Sequence, residues 1–338
     1  MAYVKNSILR FSSAAIVATG SAVGGKEFDG PLGDCFDLHD KTDRFGKKTW
    51  ESAESEMQRL ALNMAFSKIG ASERDIGALF AGDLLNQCVG SSYGLLDFDI
   101  PYFGLYGACS TAIEGLMLCA MSCNAGYFDT CAAVTSSHNC AAERQYRTPI
   151  EYGAQRSPTA QWTVTGAGAF IVKRKGRVRI CEALPGIVVE KGINDASNMG
   201  AAMAPAAADT LLRYFENSHH SPEDFDMIVT GDLGAEGGDI LCELLLSKGI
   251  SLGERYRDCG TMIYDLSGQD MHSGGSGCGC SAVVLASYLY PRLLSGALRD
   301  ILIIGTGAMM SPASIQQGQA IPAVAHLLHI SGGAVSEE

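Results

Sequence analysis

Cysteine is the residue type whose surroundings most directly suggest chemistry in this chain. In Tyr106-Gly107-Ala108-Cys109-Ser110-Thr111-Ala112-Ile113-Glu114-Gly115-Leu116, Cys109 stands where an extended apolar segment, residues 100–105, gives way to small and apolar residues that reach Tyr127 without an interior proline. That change of pattern predicts a buried strand followed by a helix, with Cys109 on the first turn. Unpartnered backbone N–H groups and the helix dipole favour negative charge at such a turn, so the position suits a nucleophilic thiolate or a bound carboxylate. The reading without chemistry is a small core residue at a tight turn, since free cysteine is commonly buried.

Other reactive types are scattered more widely. His272 lies in the glycine-rich Met271-His272-Ser273-Gly274-Gly275-Ser276-Gly277, where it is either a structural hydrogen-bonder or a functional group. An irregular polar stretch over 138–162 carries Arg144, Arg147, Gln155, Arg156, Gln161 and Trp162, together with Tyr146 and Tyr152. Its arginines either pair with Glu143 and Glu151 at the surface or belong to a loop over a pocket. Asp83 and Asp232 each follow a glycine at the end of an apolar run, and are expected to cap the next helix. Cys278-Gly279-Cys280 with Cys259 and His272 matches no common structural zinc spacing, so no metal site is expected from them.

These residues need a framework, and the composition allows one. A chain of 338 residues that is 47% hydrophobic and 18% charged can bury two cores, and its 40 glycines suit tight strand-to-helix turns. The net charge of −12 leaves no basic face for nucleic acid and disfavours acidic lipid surfaces. The 12 cysteines fall mostly in apolar runs, which points to a reducing compartment. The first twenty residues lack a signal-peptide pattern, and the longest apolar segment, around 281–290, is too short for a membrane span.

In order, residues 12–19 read as a first strand and 20–48 as a long loop with little to pack. Thr49 caps a helix that ends at Gly70, with first-turn acids Glu51, Glu54 and Glu56 and an apolar stripe of Trp50, Ala53, Met57, Leu60, Ala61 and Met64. Strands follow at 76–83, 128–135, 163–173 and 177–189. The second part repeats the order, with a helix over 200–215, a strand at 225–232, a Cys-Ser helix start at Cys280-Ser281 and a strand at 300–305. Cys109 to Asp129 and Cys280 to Asp300 share a spacing of 20 residues, and Gly82-Asp83 is echoed by Gly231-Asp232. Order and spacing together predict an internally duplicated α/β unit, with an N-terminal half over 1–175 and a C-terminal half over 176–338.

Two α/β halves with Gly-Ala-Cys-Ser in the first alone resemble the thiolase superfamily. Within it, the chain resembles the stage V sporulation protein AD family through Gly30-Pro31-Leu32-Gly33-Asp34, Lys48-Thr49-Trp50-Glu51-Ser52-Ala53-Glu54 and Phe103-Gly104-Leu105-Tyr106-Gly107-Ala108-Cys109-Ser110-Thr111. Ser136-Ser137-His138, Gln161-Trp162-Thr163-Val164-Thr165-Gly166, and Gly305-Thr306-Gly307-Ala308 with Ser311-Pro312 extend the match. The resemblance implies a thiolase-like fold, five αβαβα layers, a homodimer, and binding of dipicolinic acid or its calcium chelate. It places the protein in the developing spore, peripheral to the inner membrane beside the membrane proteins of the SpoVA complex, in support of dipicolinate uptake. No cofactor is implied beyond calcium arriving with the ligand.

A condensing enzyme of that superfamily needs a cysteine thiolate and two imidazole or amide groups from the second half. The resemblance assigns Cys109 to the first role and His272 to one of the others, whereas Gly231-Asp232-Leu233-Gly234 supplies no third group. A non-enzymatic binder is therefore expected, with an acyltransferase using Cys109 as the alternative. For a planar dicarboxylate the expected contacts are Cys109, Arg144, Arg147, Gln155, Arg156, Gln161, Trp162 and His272, which combine forked donors, amides and a flat wall.

Overall fold

The computed structural model describes residues 8–146 and 156–333, with backbone alone for 144–146. Ten strands form the body of one sheet, and each half of the chain contributes five. The first half runs Ala15–Gly24, Gly166–Lys173, Thr130–Ser137, Ala78–Gly82 and Tyr102–Gly104 from the middle outward. The second half runs Val178–Leu184, Ala323–Ser331, Asp300–Ala308, Met227–Thr230 and Tyr256–Asp258. Numbered within its half, each set has the spatial order first, fifth, fourth, second, third, so the duplication legible in the spacing is a duplication of topology.

The two first strands meet antiparallel through only Ala15↔Arg179 and Ile16↔Val178. A short strand, Leu9–Arg10, lies against Val178–Leu184 of the second half. Strands whose faces are both covered read as continuous apolar runs, and here every residue of Ala78–Gly82 and Thr130–Ser137 is buried.

Helices Thr111–Ala125 and Cys278–Val284 fill the space between the two half-sheets. Their Ile113, Leu116 and Val283 share one core with Phe80, Ala133 and Phe170 of the first half and with Ile180, Val229 and Ile303 of the second. Alternate strand residues point outward. Leu79, Val134 and Ile171 pack under helix Trp50–Ile69, while Ile228, Leu302 and Leu327 pack under Met199–Asn217 and Gly234–Leu246. The result is five layers, helix–sheet–helix–sheet–helix. Close approach of the outer layer is set at Gly20, where a Cβ would stand 2.1 Å from Ala61 O.

Three local expectations are corrected. Helix Trp50–Ile69 is capped by Thr49, which accepts from Ser52 N, and stopped by Gly70 in the left-handed region, but its buried face is rotated. Glu54 and Gln58 lie inward instead of Trp50, Leu60 and Met64, where Ser136 and Ser91 meet one polar atom of each: Ser136 Oγ donates to Glu54 at 2.9 Å, and Gln58 Nε2 donates to both serines. Segment 100–105 is no buried strand; Tyr102–Gly104 is the exposed edge of the sheet. The 20–48 loop also packs. Its Glu27 is buried, accepts from Thr165 N and the Tyr264 hydroxyl, and so fastens the loop to both halves.

Candidate functional site

The turn that presents Cys109 is built from its own backbone. Leu105 N continues the edge strand by donating to Ala81 O, and Ala108 then turns the chain at φ +49°. A non-glycine residue in that region costs of order 1–3 kcal/mol and persists where surrounding contacts fix it. Ser110 Oγ bonds Gly107 O and Thr111 Oγ1 bonds Ala108 O, both at 2.6 Å. Gly307, on the strand beneath, leaves room for the turn: a Cβ there would come within 2.3 Å of Gly107 O.

This geometry corrects the placement of Cys109. Helix Thr111–Ala125 begins two residues later, with Ser110 at its N-cap. The N–H groups of Ser110 and Thr111 are taken by Gly107 O and Ala108 O, so the helix start does not offer them to an anion beside the thiol.

Facing Cys109 is a carboxylate. Asp232 follows the second strand of the second half, as Asp83 follows that of the first. Asp232 accepts from Thr306 Oγ1 at 2.7 Å, Gly277 N at 2.9 Å and Ser276 Oγ at 3.1 Å. Ser276 Oγ is also 3.9 Å from Cys109 Sγ. Burial pushes the Cys109 thiol well above its ordinary value, and the neighbouring Asp232 charge pushes it further. Burial also raises Asp232 itself, partly offset by its hydrogen bonds to Cys109 and Thr306.

Asp232 does not cap the helix that follows it, contrary to expectation. That task falls in the second half to Asp258, which accepts from the N–H groups of Leu233, Gly234, Gly260 and Thr261 and is raised to about 6 by burial. Asp83 does cap as expected, accepting from Leu85 N and, in the first turn of helix Val89–Gly94, from Ser91 N and Oγ.

Above the thiol is a cavity of about 120 Å³, walled by Leu84, Tyr106, Ala142, Glu143, Met199, Met310 and their neighbours. Sites for drug-sized ligands are commonly 300–1,000 Å³, so this one suits a small occupant. Its walls are largely apolar, and Glu143, which accepts from Thr163 Oγ1 at 3.3 Å, is the acid on them. No arginine or lysine is among its described lining residues. A larger surface groove of about 450 Å³ runs along helix Trp50–Ile69, away from Cys109, and its Glu56 is paired with Lys47 and Arg59.

The expected contacts divide into four groups. Cys109 is on the cavity floor. Gln161 is behind it, buried, with Nε2 donating to Asp232 O at 2.7 Å and Gly275 O at 3.1 Å, so it supports the Asp232 turn. Arg156, Trp162 and His272 gather in a separate cluster and do not line the cavity. Arg156 pairs with Asp270 at 2.9 Å and lies 5.1 Å from the centre of the Trp162 ring, which Lys26 also approaches at 4.9 Å. His272 bonds Ser157 O at 2.6 Å and Asp270 at 3.1 Å. Arg144 belongs to helix Asn139–Tyr146, whose Ala142 and Glu143 reach the cavity, while Arg147 and Gln155 lie outside the described residues. Ser276, four residues beyond His272, is the glycine-loop side chain beside Cys109; neither it nor Thr306 was expected at the site, and Glu143 was read only as a surface partner for arginine. A serine among glycines looks like a turn residue, and only the register of the loop against Cys109 reveals it.

Comparison with known proteins follows the same lines. The family model described as stage V sporulation protein AD (SpoVAD) matches residues 5–331. Stage V sporulation protein AD of Bacillus subtilis (strain 168) is 42% identical over 320 residues, covering 94% of each chain. Among solved structures, 3-oxoacyl-[acyl-carrier-protein] synthase III from Aquifex aeolicus VF5 is 13% identical with a TM-score of 0.58, over 94% of this chain and 99% of that one. Xanthomonas campestris OleA with bound cerulenin is 16% identical with a TM-score of 0.60, over 98% and 100%. At such identity the likeness is one of fold, and the fold is thiolase-like.

Proposed function

The chain belongs to the stage V sporulation protein AD family, and from that premise we propose that it binds dipicolinic acid, as the calcium chelate, without catalysing acyl transfer. Binding takes place in the cavity over Cys109 and supports dipicolinate uptake into the developing spore. The observation that carries the non-enzymatic reading is Asp232. Acyl transfer asks for a thiolate and for neutral or cationic donors around a developing oxyanion. A carboxylate opposite Cys109 opposes both, because it holds the thiol protonated and repels negative charge.

Charge also favours the chelate over the free ligand. Free dipicolinate is a dianion, and Glu143 and Asp232 lie beside or beneath the cavity. Calcium cancels the ligand's charge and gains hard oxygen donors from such a setting. The small volume and apolar walls suit a flat ring, while Arg144, Arg147 and Gln155 are the proposed donors to its carboxylates. Attachment to the spore inner membrane is assigned to membrane-spanning SpoVA partners, since no helix among the described residues is long and apolar enough to cross a bilayer. Homodimers are assigned to the exposed edge strand Tyr102–Gly104.

Titration calorimetry tests the reading. Calcium with dipicolinate is expected to bind more tightly than dipicolinate alone, and pyridine-3,5-dicarboxylate is expected to give no saturable heat. Equal heats for the two isomers, or none for either, would overturn it. The retained Cys109 at the cavity floor keeps acyl transfer as the second reading; an acyl group found on Cys109 by intact mass after incubation with acyl-CoA would establish that one instead.

A further inference from the structure

At the far end of the second half-sheet, where Asp300 pairs with Ser331 rather than Ala308 with Ala323, a carboxylate oxygen of Glu182 and one nitrogen each of His220 and His329 lie within 4.8 Å of one another. We propose that these three side chains hold one divalent transition-metal ion of the zinc class, at a site independent of the Cys109 cavity. Two imidazoles and a carboxylate are a common donor set for zinc, which takes four ligands and leaves the remaining position to water. Calcium prefers six or more oxygens and is the wrong ion for this set.

The tautomer of His329 is the strongest support. Its Nε2 bonds Asp300 Oδ1 at 2.9 Å, which fixes the proton on that nitrogen and leaves Nδ1 with a lone pair. Nδ1 is buried and has no hydrogen-bond partner, in a residue 8% exposed. An imidazole oriented by a carboxylate on one nitrogen, with the other free, is the usual arrangement of a metal-bound histidine.

Glu182 is oriented as well. The Tyr214 hydroxyl donates to its Oε2 at 2.7 Å and Arg10 Nε to its Oε1 at 3.0 Å, and each oxygen retains a further lone pair. His220 completes the set from the turn after helix Met199–Asn217, with Nε2 3.8 Å from Glu182 Oε2 and Nδ1 3.7 Å from Asp224. A plain histidine–glutamate pair does not account for this group: 3.8 Å is too long for a hydrogen bond, and the pair leaves His329 Nδ1 without a function. Zinc bonds of about 2.0–2.1 Å require ligand atoms about 3.4 Å apart in a tetrahedron. His220, a third exposed and on a turn, is free to make that short movement. Bound metal would join Val178–Leu184 and Ala323–Ser331 to the end of the outer helix, and would raise stability by mass action.

Metal-stripped protein, free of dipicolinate because that ligand is itself a chelator, is titrated with Zn²⁺ against a chromophoric competitor. One equivalent per chain is expected for the wild type, with loss of the stoichiometric ion in His220→Asn. In Asp300→Asn, which removes the carboxylate behind His329, affinity is expected to fall about 10- to 100-fold. Cobalt substitution is expected to give visible bands without thiolate-to-metal charge transfer. Circular dichroism confirms that the His220→Asn variant, changed on a surface turn, remains folded. No stoichiometric zinc in the wild type, unchanged affinity in both variants, or a thiolate band that assigns the ion to cysteine overturns the proposal.

Discussion

Cys109 and Asp232 define the chemistry available at the cavity floor, and their protonation makes a measurable difference. With the thiol raised by burial and by Asp232, alkylation of Cys109 by iodoacetamide, followed by intact mass, should keep accelerating through pH 9. A plateau below pH 8 would mean a thiolate and would contradict the site as described. Asp232→Asn removes the opposing charge and should increase the rate at fixed pH, at a cost of about 1–3 kcal/mol in stability because the single amide oxygen cannot accept from both Thr306 Oγ1 and Gly277 N. At this scale the sequence was informative where residue type alone carried meaning. Cys109 in Gly-Ala-Cys-Ser and the lack of an imidazole at Gly231-Asp232 were both legible. His272 was assigned to the cavity by the resemblance, through its place in the glycine-rich loop, whereas loop register places Ser276 there and turns His272 toward Ser157 and Asp270.

Among the elements, strands, capped helices and the duplicated order were readable from periodicity, and departures occurred where polar residues are buried. Glu54 was read as an acid at the helix start and Gln58 was left out of the buried stripe, because their partners, Ser91 and Ser136, come from distant segments. The 20–48 loop looked empty because its anchor is a glutamate. Burial raises Glu27 to about 7, against an ordinary value near 4.5. Such a group is protonated in the fold while ionised in the unfolded chain, so the stability it confers is fully present below about 4.5, declines as pH rises, and levels off above about 7. The span corresponds to roughly 3 kcal/mol. Thermal unfolding of the wild type should therefore show lower stability at pH 7.5 than at pH 5, and Glu27→Gln, an uncharged mimic of the acid, should flatten that slope. An identical slope in the variant would show that Glu27 is not its source.

For the whole molecule, the free edge Tyr102–Gly104 carries Tyr102 and Phe103 at 40% and 48% exposure, with backbone groups available for another strand. Phe103→Lys should convert a homodimer to a monomer in light scattering while leaving circular dichroism unchanged; a dimer that survives the change must use another face. The sheet topology also imposes a timetable on synthesis. The apolar strand Ala15–Gly24 meets Leu38–Asp40 early, through Ala22 to Gly24, but its other strand neighbours are Gly166–Lys173 and Val178–Leu184, so at about 5–20 residues per second the ribosome delivers those on the order of ten to thirty seconds later. Leu9–Arg10 waits for the second half altogether. During that interval most of the strand is without its sheet partners, so slower synthesis lengthens the period in which a chaperone would be of use to this fold.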